Sequence, residues 1–177
     1  VLDECFVQSL TSGEEASMQL ETGRFRYLFV LQAFTKIYAV PGIRLGYGIS
    51  SDKALLERME TVRQPWSVST PAQAAGLSAL KEDHREEQTR QLVKSERERM
   101  EKELENLRIE YIPSEANFLL FNSEINWFEE LKKRGILIRD CANYRGLGNG
   151  WYRMAVRMPE ENDRLLECMK QVLNERS

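Results

Sequence analysis

The chain has 177 residues, 42% of them apolar and 30% charged, with a formal net charge of −3. That is enough apolar material for one ordinary domain or for a larger and a smaller half. The mixed charge leaves no basic footprint for nucleic acid, no run reaches the ~18 apolar residues of a membrane span, and no charged start leads into an apolar secretory stretch.

The first residue is Val1, not Met, and VLDECF reads as a strand already in progress. We expect the C-terminal portion of a larger protein. Val1–Asp3 is then the end of a buried strand, closed by the acids Asp3 and Glu4. TSGEEASMQLET, residues 11–22, is polar and loop-like with some helical character. RYLFVLQ, residues 26–32, is a continuous apolar run of the kind buried on both faces of a sheet. LGYGIS, residues 45–50, is a further short strand.

Ser51 and Asp52 open a helix to about Arg63, with apolar residues at 55, 56, 59 and 62. Thr70-Pro71 opens another, the hydroxyl as cap and the proline at the first helical position, running to about Glu82. The longest helix is predicted from Asp83 to Leu107. It is dense in charge, with a narrow stripe of Val93, Met100, Leu104 and Leu107. The stripe is too short for sustained heptads, so a one-sided helix between two domains is expected rather than a coiled coil.

Strands follow at 109–112 and 117–121 around Pro113-Ser114, then a helix from Glu124 to Arg134 ended by Gly135. A strand at 136–139 and an alternating strand at 152–157 precede a last helix opened by Pro159, with Leu165, Leu166, Met169, Val172 and Leu173 on its apolar face. The second half reads as a small α+β unit. Cys5, Cys141 and Cys168 lack metal or disulfide spacing, so no metal site and a reducing cytoplasm are expected. The single histidine, His84, sits in a solvated charged stretch and leaves Ser/His or Cys/His catalysis unsupplied.

In AFTKIYAVPGIRLGYG, Lys36 is a lone amine past the apolar run, and Arg44 follows behind a Pro-Gly turn. An amine in water is protonated at neutral pH and is no nucleophile. Burial beside a second cation lowers an amine's pKa and frees it for a Schiff base. Arg44 would be that neighbour if the turn folds the chain back, and its fork suits a phosphate. A carboxylate such as Asp3, at the end of another strand, is placed to keep a pyridinium nitrogen protonated.

Asp3-Glu4, AFTKIYAVPGIRLGYG, RQPWSVSTPAQAA, PSEANFLLF and GILIRDCANYRGLGNGWYRMAVR together resemble the fold-type I pyridoxal-phosphate enzymes of the class I/II aminotransferase superfamily. The branch they look most like holds threonine-phosphate decarboxylase, of cobalamin biosynthesis, and histidinol-phosphate aminotransferase. The resemblance implies an α/β fold: the C-terminal part of a three-layer large domain over 1–82, an interdomain helix over 83–107, and a complete small α+β domain over 108–177. It implies pyridoxal 5'-phosphate as cofactor, a small phosphorylated amino acid as substrate, and a homodimer. By position, Lys36 would carry the cofactor, Asp3 would meet its ring nitrogen, and Arg44, with Thr35, its phosphate. Arg153 would clamp the substrate carboxylate, Asn117 would lie near the substrate, and Arg139 or Arg157 would take a substrate phosphate; either could equally be a plain strand-edge arginine.

Three departures stand out. Ala33 replaces the usual hydroxyl three residues before the lysine, and Phe6 replaces a tyrosine that bonds the cofactor ring, which leans towards decarboxylation. Family members are roughly twice this length. The absent part carries the phosphate loop, so the piece alone is expected to hold cofactor weakly and to be inactive. A non-catalytic module is the remaining alternative.

Overall fold

The computed structural model describes residues 1–82 and 84–176, so the expected helix start at Asp83 and the terminal Ser177 lie outside the described residues. The chain divides into two compact units, Val1–Arg90 and Gln91–Ser177.

In the first unit β1 (Leu2–Asp3) pairs in parallel with β2 (Val30–Ala33), and β3 (Gly46–Ile49) pairs antiparallel on the other side of β2. Asp3 stands opposite Leu31. Between β1 and β2 the chain makes three 3₁₀ turns, Val7–Ser9, Gly13–Ala16 and Gln19–Gly23. The strand expected over 26–32 is shorter and covered on one face only. Val30 and Gln32 are buried, while Leu31 between them is exposed. β1 is likewise exposed, not buried. This alternation belongs to a sheet with one open face, and a continuous apolar run does not by itself supply the second cover.

Directly after β2 a single helical turn, α1 (Phe34–Ile37), starts from Ala33 with no side-chain capping bond, and a 3₁₀ turn at Pro41–Ile43 leads into β3. α2 (Lys53–Val62) is capped by Asp52, whose carboxylate accepts from Leu55 N at 3.1 Å. Its apolar positions Leu56, Met59 and Val62 are nevertheless exposed. α3 (Thr70–Ala79) is capped one residue earlier than expected, by Ser69, with Pro71 in its first turn. Adjacent hydroxyls make equivalent caps on paper; only the backbone decides between them. α4 (Arg85–Asn106) spans the boundary between the units.

The second unit is a four-stranded antiparallel sheet in the order β4 (Glu110–Ile112), β5 (Phe118–Asn122), β7 (Trp151–Ala155), β6 (Arg139–Asp140). Alternate residues Leu119, Phe121, Tyr152 and Met154 turn to one face. There they meet Met100 and Leu104 of α4, Trp127 and Leu131 of α5 (Trp127–Lys133), and Leu165, Leu166, Met169 and Val172 of α6 (Pro159–Asn174). Each such buried side chain stabilises the fold by about 1.5–3 kcal/mol before entropy. α5 starts three residues later than expected, because Asn126 accepts from Glu129 N and caps it there. β6 is only two residues long. Phe118, Leu120 and Arg153 lie on the less covered face.

A buried polar bracket ties this unit together. Asn162, 1% exposed, accepts from Arg157 N at 2.9 Å and donates to Arg157 O at 2.9 Å and to Glu96 Oε2 at 2.7 Å. Glu96 also accepts from Arg99 at 2.7 and 3.1 Å.

Candidate active site

Lys36 lies on α1, three residues past the end of β2, so the strand fixes its position to within one helical turn. It is exposed, not buried, which corrects the expected route to a free amine. Its Nζ stands 5.0 Å from the centre of the Phe6 ring, a cation–π contact with the residue found in place of the family tyrosine. Asp3 Oδ1 accepts from Cys5 N at 2.9 Å. Hydrogen bonding with the Cys5 side chain, then that backbone bond, and last the charge of Lys36 hold its carboxyl below the ordinary aspartate range, so it is ionised at neutral pH.

Arg44 takes a left-handed backbone, φ 57°, and donates to Pro41 O at 2.9 Å. Ala39, also left-handed at φ 54°, stands at the other end of the same connection. Such residues cost about 1–2 kcal/mol each outside glycine, and strain of this kind gathers at sites where geometry matters more than stability. Gly46 allows the strand return: a Cβ there would lie 2.9 Å from Gln32 O. Thr35 sits beside Lys36 in the same turn.

Sequence reasoning missed Glu4. Expected only as an acid that closes the first strand beside Asp3, it is buried, accepting from Ser17 Oγ at 2.6 Å, Met18 N at 2.8 Å and Gln32 Nε2 at 3.0 Å. The available signal was Gln32 itself: a polar residue inside a buried run needs a partner.

In the second unit Arg153 on β7 is half-buried, with its guanidinium 4.9 Å over the Phe118 ring. Arg139 on β6 stands directly opposite Arg153 in the strand register, 5.5 Å over Tyr144 and 3.3 Å from Asn143 Oδ1. Among the described residues neither makes an ion pair. Arg157 is different: it is exposed and pairs with Glu161 at 2.9 Å. Asn117 accepts from Val156 N through its carbonyl at 2.9 Å, and its buried Oδ1 has no partner among the described residues. A hollow of about 480 Å³ in this unit is lined by Asn122, Glu124, Asp140, Asn149 and Tyr152 among others, but by none of the expected site residues. Its two carboxylates oppose an anionic ligand.

These residues suit pyridoxal phosphate. An amine lies one helical turn past the end of β2, an ionised carboxylate lies at the end of neighbouring β1, and a guanidinium sits on the connection that follows. Among the described residues no group of acids, histidines or cysteines suits a metal, and no helix is long and apolar enough to cross a membrane.

The family model for aminotransferase class I and II matches residues 1–168. The chain is 36% identical over 177 residues to a threonine-phosphate decarboxylase of Salmonella typhimurium, covering 98% of this chain and 48% of that protein. It is also 36% identical over 173 residues to histidinol-phosphate aminotransferase 1 of Archaeoglobus fulgidus, covering 97% and 51%. The solved histidinol-phosphate aminotransferase of Clostridium acetobutylicum superposes with a TM-score of 0.92 at 31% identity, over 98% of this chain and 54% of that one. The chain thus spans about half the length of the curated relatives it matches. With the match running through both units, the chain belongs to the aminotransferase class I and II family, whose members are pyridoxal-phosphate-dependent enzymes of fold type I.

Proposed function

We propose that these residues form the C-terminal half of a pyridoxal-phosphate-dependent enzyme that decarboxylates O-phosphothreonine. In this reading residues 1–82 end the large domain, 83–107 link the domains, and 108–177 make the small domain. The working protein is a cytoplasmic homodimer. Lys36 holds the cofactor, Asp3 meets its ring nitrogen, and Arg44 and Thr35 meet its phosphate. When bound, the cofactor withdraws electrons from the substrate Cα. The ionised state of Asp3 supports its part, since an anionic carboxylate favours a protonated ring nitrogen. Arg153 would hold and orient the substrate carboxylate, Asn117 would line the substrate's side, and the Lys36 amine would deliver the proton that Cα takes up as CO₂ leaves. The product is an aminopropanol phosphate.

The observation that carries the choice of substrate is the facing pair Arg139 and Arg153. Like charges directly opposite one another destabilise a strand pair, and a ligand with two anionic groups offsets that cost. O-Phosphothreonine bears a carboxylate and a phosphate on one small molecule. Arg139 is the better phosphate ligand, because Arg157 is already engaged by Glu161. Phe6 supplies no hydroxyl beside Lys36, which fits a departure from transamination.

The likeness to histidinol-phosphate aminotransferases supports a second reading. Histidinol phosphate has one anionic group, so the second arginine would then serve the carboxylate of the amino acceptor. A non-catalytic role gives no reason for Asp3, Lys36, Arg44 and Arg153 to occur together. In a protein of the relatives' full length containing these residues, O-phosphothreonine should release CO₂ without 2-oxoglutarate. Amine exchange with 2-oxoglutarate and no CO₂ overturns the decarboxylase reading.

A further inference from the structure

The helical turn that carries Lys36 is too short to hold itself. α1 is four residues long, has Tyr38 as its C-terminal cap, and runs at once into the left-handed Ala39. A turn of that length has almost no stability of its own. Something outside it must fix the direction of the lysine.

Two contacts of Tyr38 do this. Its ring stacks on Phe34 at the start of the same turn, 5.4 Å between centres and 24° between planes. Its hydroxyl donates to Glu86 Oε1 at 2.6 Å. A bond to a carboxylate at that length is among the stronger hydrogen bonds a protein makes. Burial and the bond to Glu86 both push the Tyr38 phenol well above its ordinary range, so the hydroxyl remains a donor at all working pH values.

Glu86 is itself anchored. It lies in the first turn of α4. Arg90, one turn on, stands 3.9 Å from its other oxygen, pairs with Glu87 at 3.1 Å, and reaches Gln8 O at 3.5 Å. Gln8 belongs to the 3₁₀ turn that follows Asp3. One turn of α4 therefore grips both the Lys36 turn, through Tyr38, and the segment next to Asp3, through Arg90.

We propose that Tyr38 and Glu86 are positioning residues that hold the Lys36 amine in register with Asp3. Neither is among the residues that this reading sets against cofactor or substrate; both act through the Lys36 turn. The inference rests on the reading of Lys36 as the cofactor lysine.

The test is reductive trapping. The chain is mixed with limiting pyridoxal 5'-phosphate, reduced with borohydride and digested, and the label on Lys36 is compared with that on Lys53 and Lys81. Tyr38→Phe keeps the stack and loses the bond; Glu86→Ala removes the acceptor; Glu86→Gln restores a neutral one. The label on Lys36 relative to the other two lysines should fall about tenfold in Tyr38→Phe and Glu86→Ala, the equivalent of one bond to a charged partner. It should recover largely in Glu86→Gln. Amide exchange at Ala39 N, which bonds to Lys36 O at 3.0 Å, should quicken in the same two variants and serves as a readout without cofactor. Selective labelling that survives both variants, with slow exchange at Ala39, overturns this inference alone. No selectivity for Lys36 in the unaltered chain overturns the cofactor reading and this inference with it.

Discussion

Replacing Asn162 with alanine removes one side-chain amide from the interior of the second unit. Three hydrogen bonds are lost: the acceptor for Arg157 N, the donor to Arg157 O and the donor to Glu96. Stranding a buried N–H costs about 1–3 kcal/mol, and a bond to a charged group contributes about 1.5–3 kcal/mol. Glu96 keeps both bonds from Arg99, so only part of the second figure is lost. A total of ~3 kcal/mol follows, a large fraction of the 5–15 kcal/mol typical of a domain. Trp127 is fully buried in this unit and Trp66 is almost fully exposed, so the change in tryptophan fluorescence during urea unfolding reports chiefly on the second unit. The midpoint should fall with the slope unchanged. Asn162→Asp should be worse than alanine at pH 7, because it sets a second carboxylate against Glu96, and should regain stability as pH falls and one of the pair protonates. A loss under about 1 kcal/mol for alanine, or an aspartate variant insensitive to pH, would refute the bracket as a stabilising network.

Further outcomes follow from other contacts. The bonds from Arg99 hold the Glu96 carboxyl below the ordinary glutamate range, with Asn162 adding to the effect. Its folded-state pKa is thus depressed, so its contribution is present above the unfolded value near ~4.3 and is lost as pH falls through the folded one. Glu96→Gln should remove that acid-side slope in urea unfolding measured from pH 6 to pH 3. Gly48→Ala should destabilise the first unit by about 1–3 kcal/mol, since the added Cβ overlaps the Phe29 ring packed against it; unfolding followed by circular dichroism checks this. For titration with O-phosphothreonine in a cofactor-loaded, full-length protein, Arg139→Ala should weaken binding at least about tenfold, whereas Arg157→Ala should change it by less than about twofold, as expected for an exposed pair.

Legibility differed between the two units for a physical reason. In the second unit the apolar residues of β5, β7 and α6 find their partners within the same stretch of chain, so period and burial agree. In the first, Leu31, Leu56, Met59 and Val62 carry the right pattern and stay exposed. A pattern records which face seeks apolar contact, not what covers it. The lysine and arginine of the first unit could be picked out because a strand and a Pro-Gly turn bracket them. The pairing of Arg139 with Arg153 could not, because the register of β6 on β7 depends on how the intervening loop closes, and that loop contains Gly146, Gly148 and Gly150, all at positive φ. Tyr38–Glu86 spans 48 residues, and nothing in the local pattern announces it.

The proposed chemistry depends first on Lys36 as the residue that holds the cofactor. Its most direct test is the visible spectrum of the chain titrated with pyridoxal 5'-phosphate, beside Lys36→Ala and Lys53→Ala. The expected result is a visible band, weak in a chain of this length, that Lys53→Ala keeps and Lys36→Ala abolishes. A band that survives Lys36→Ala unchanged would contradict it.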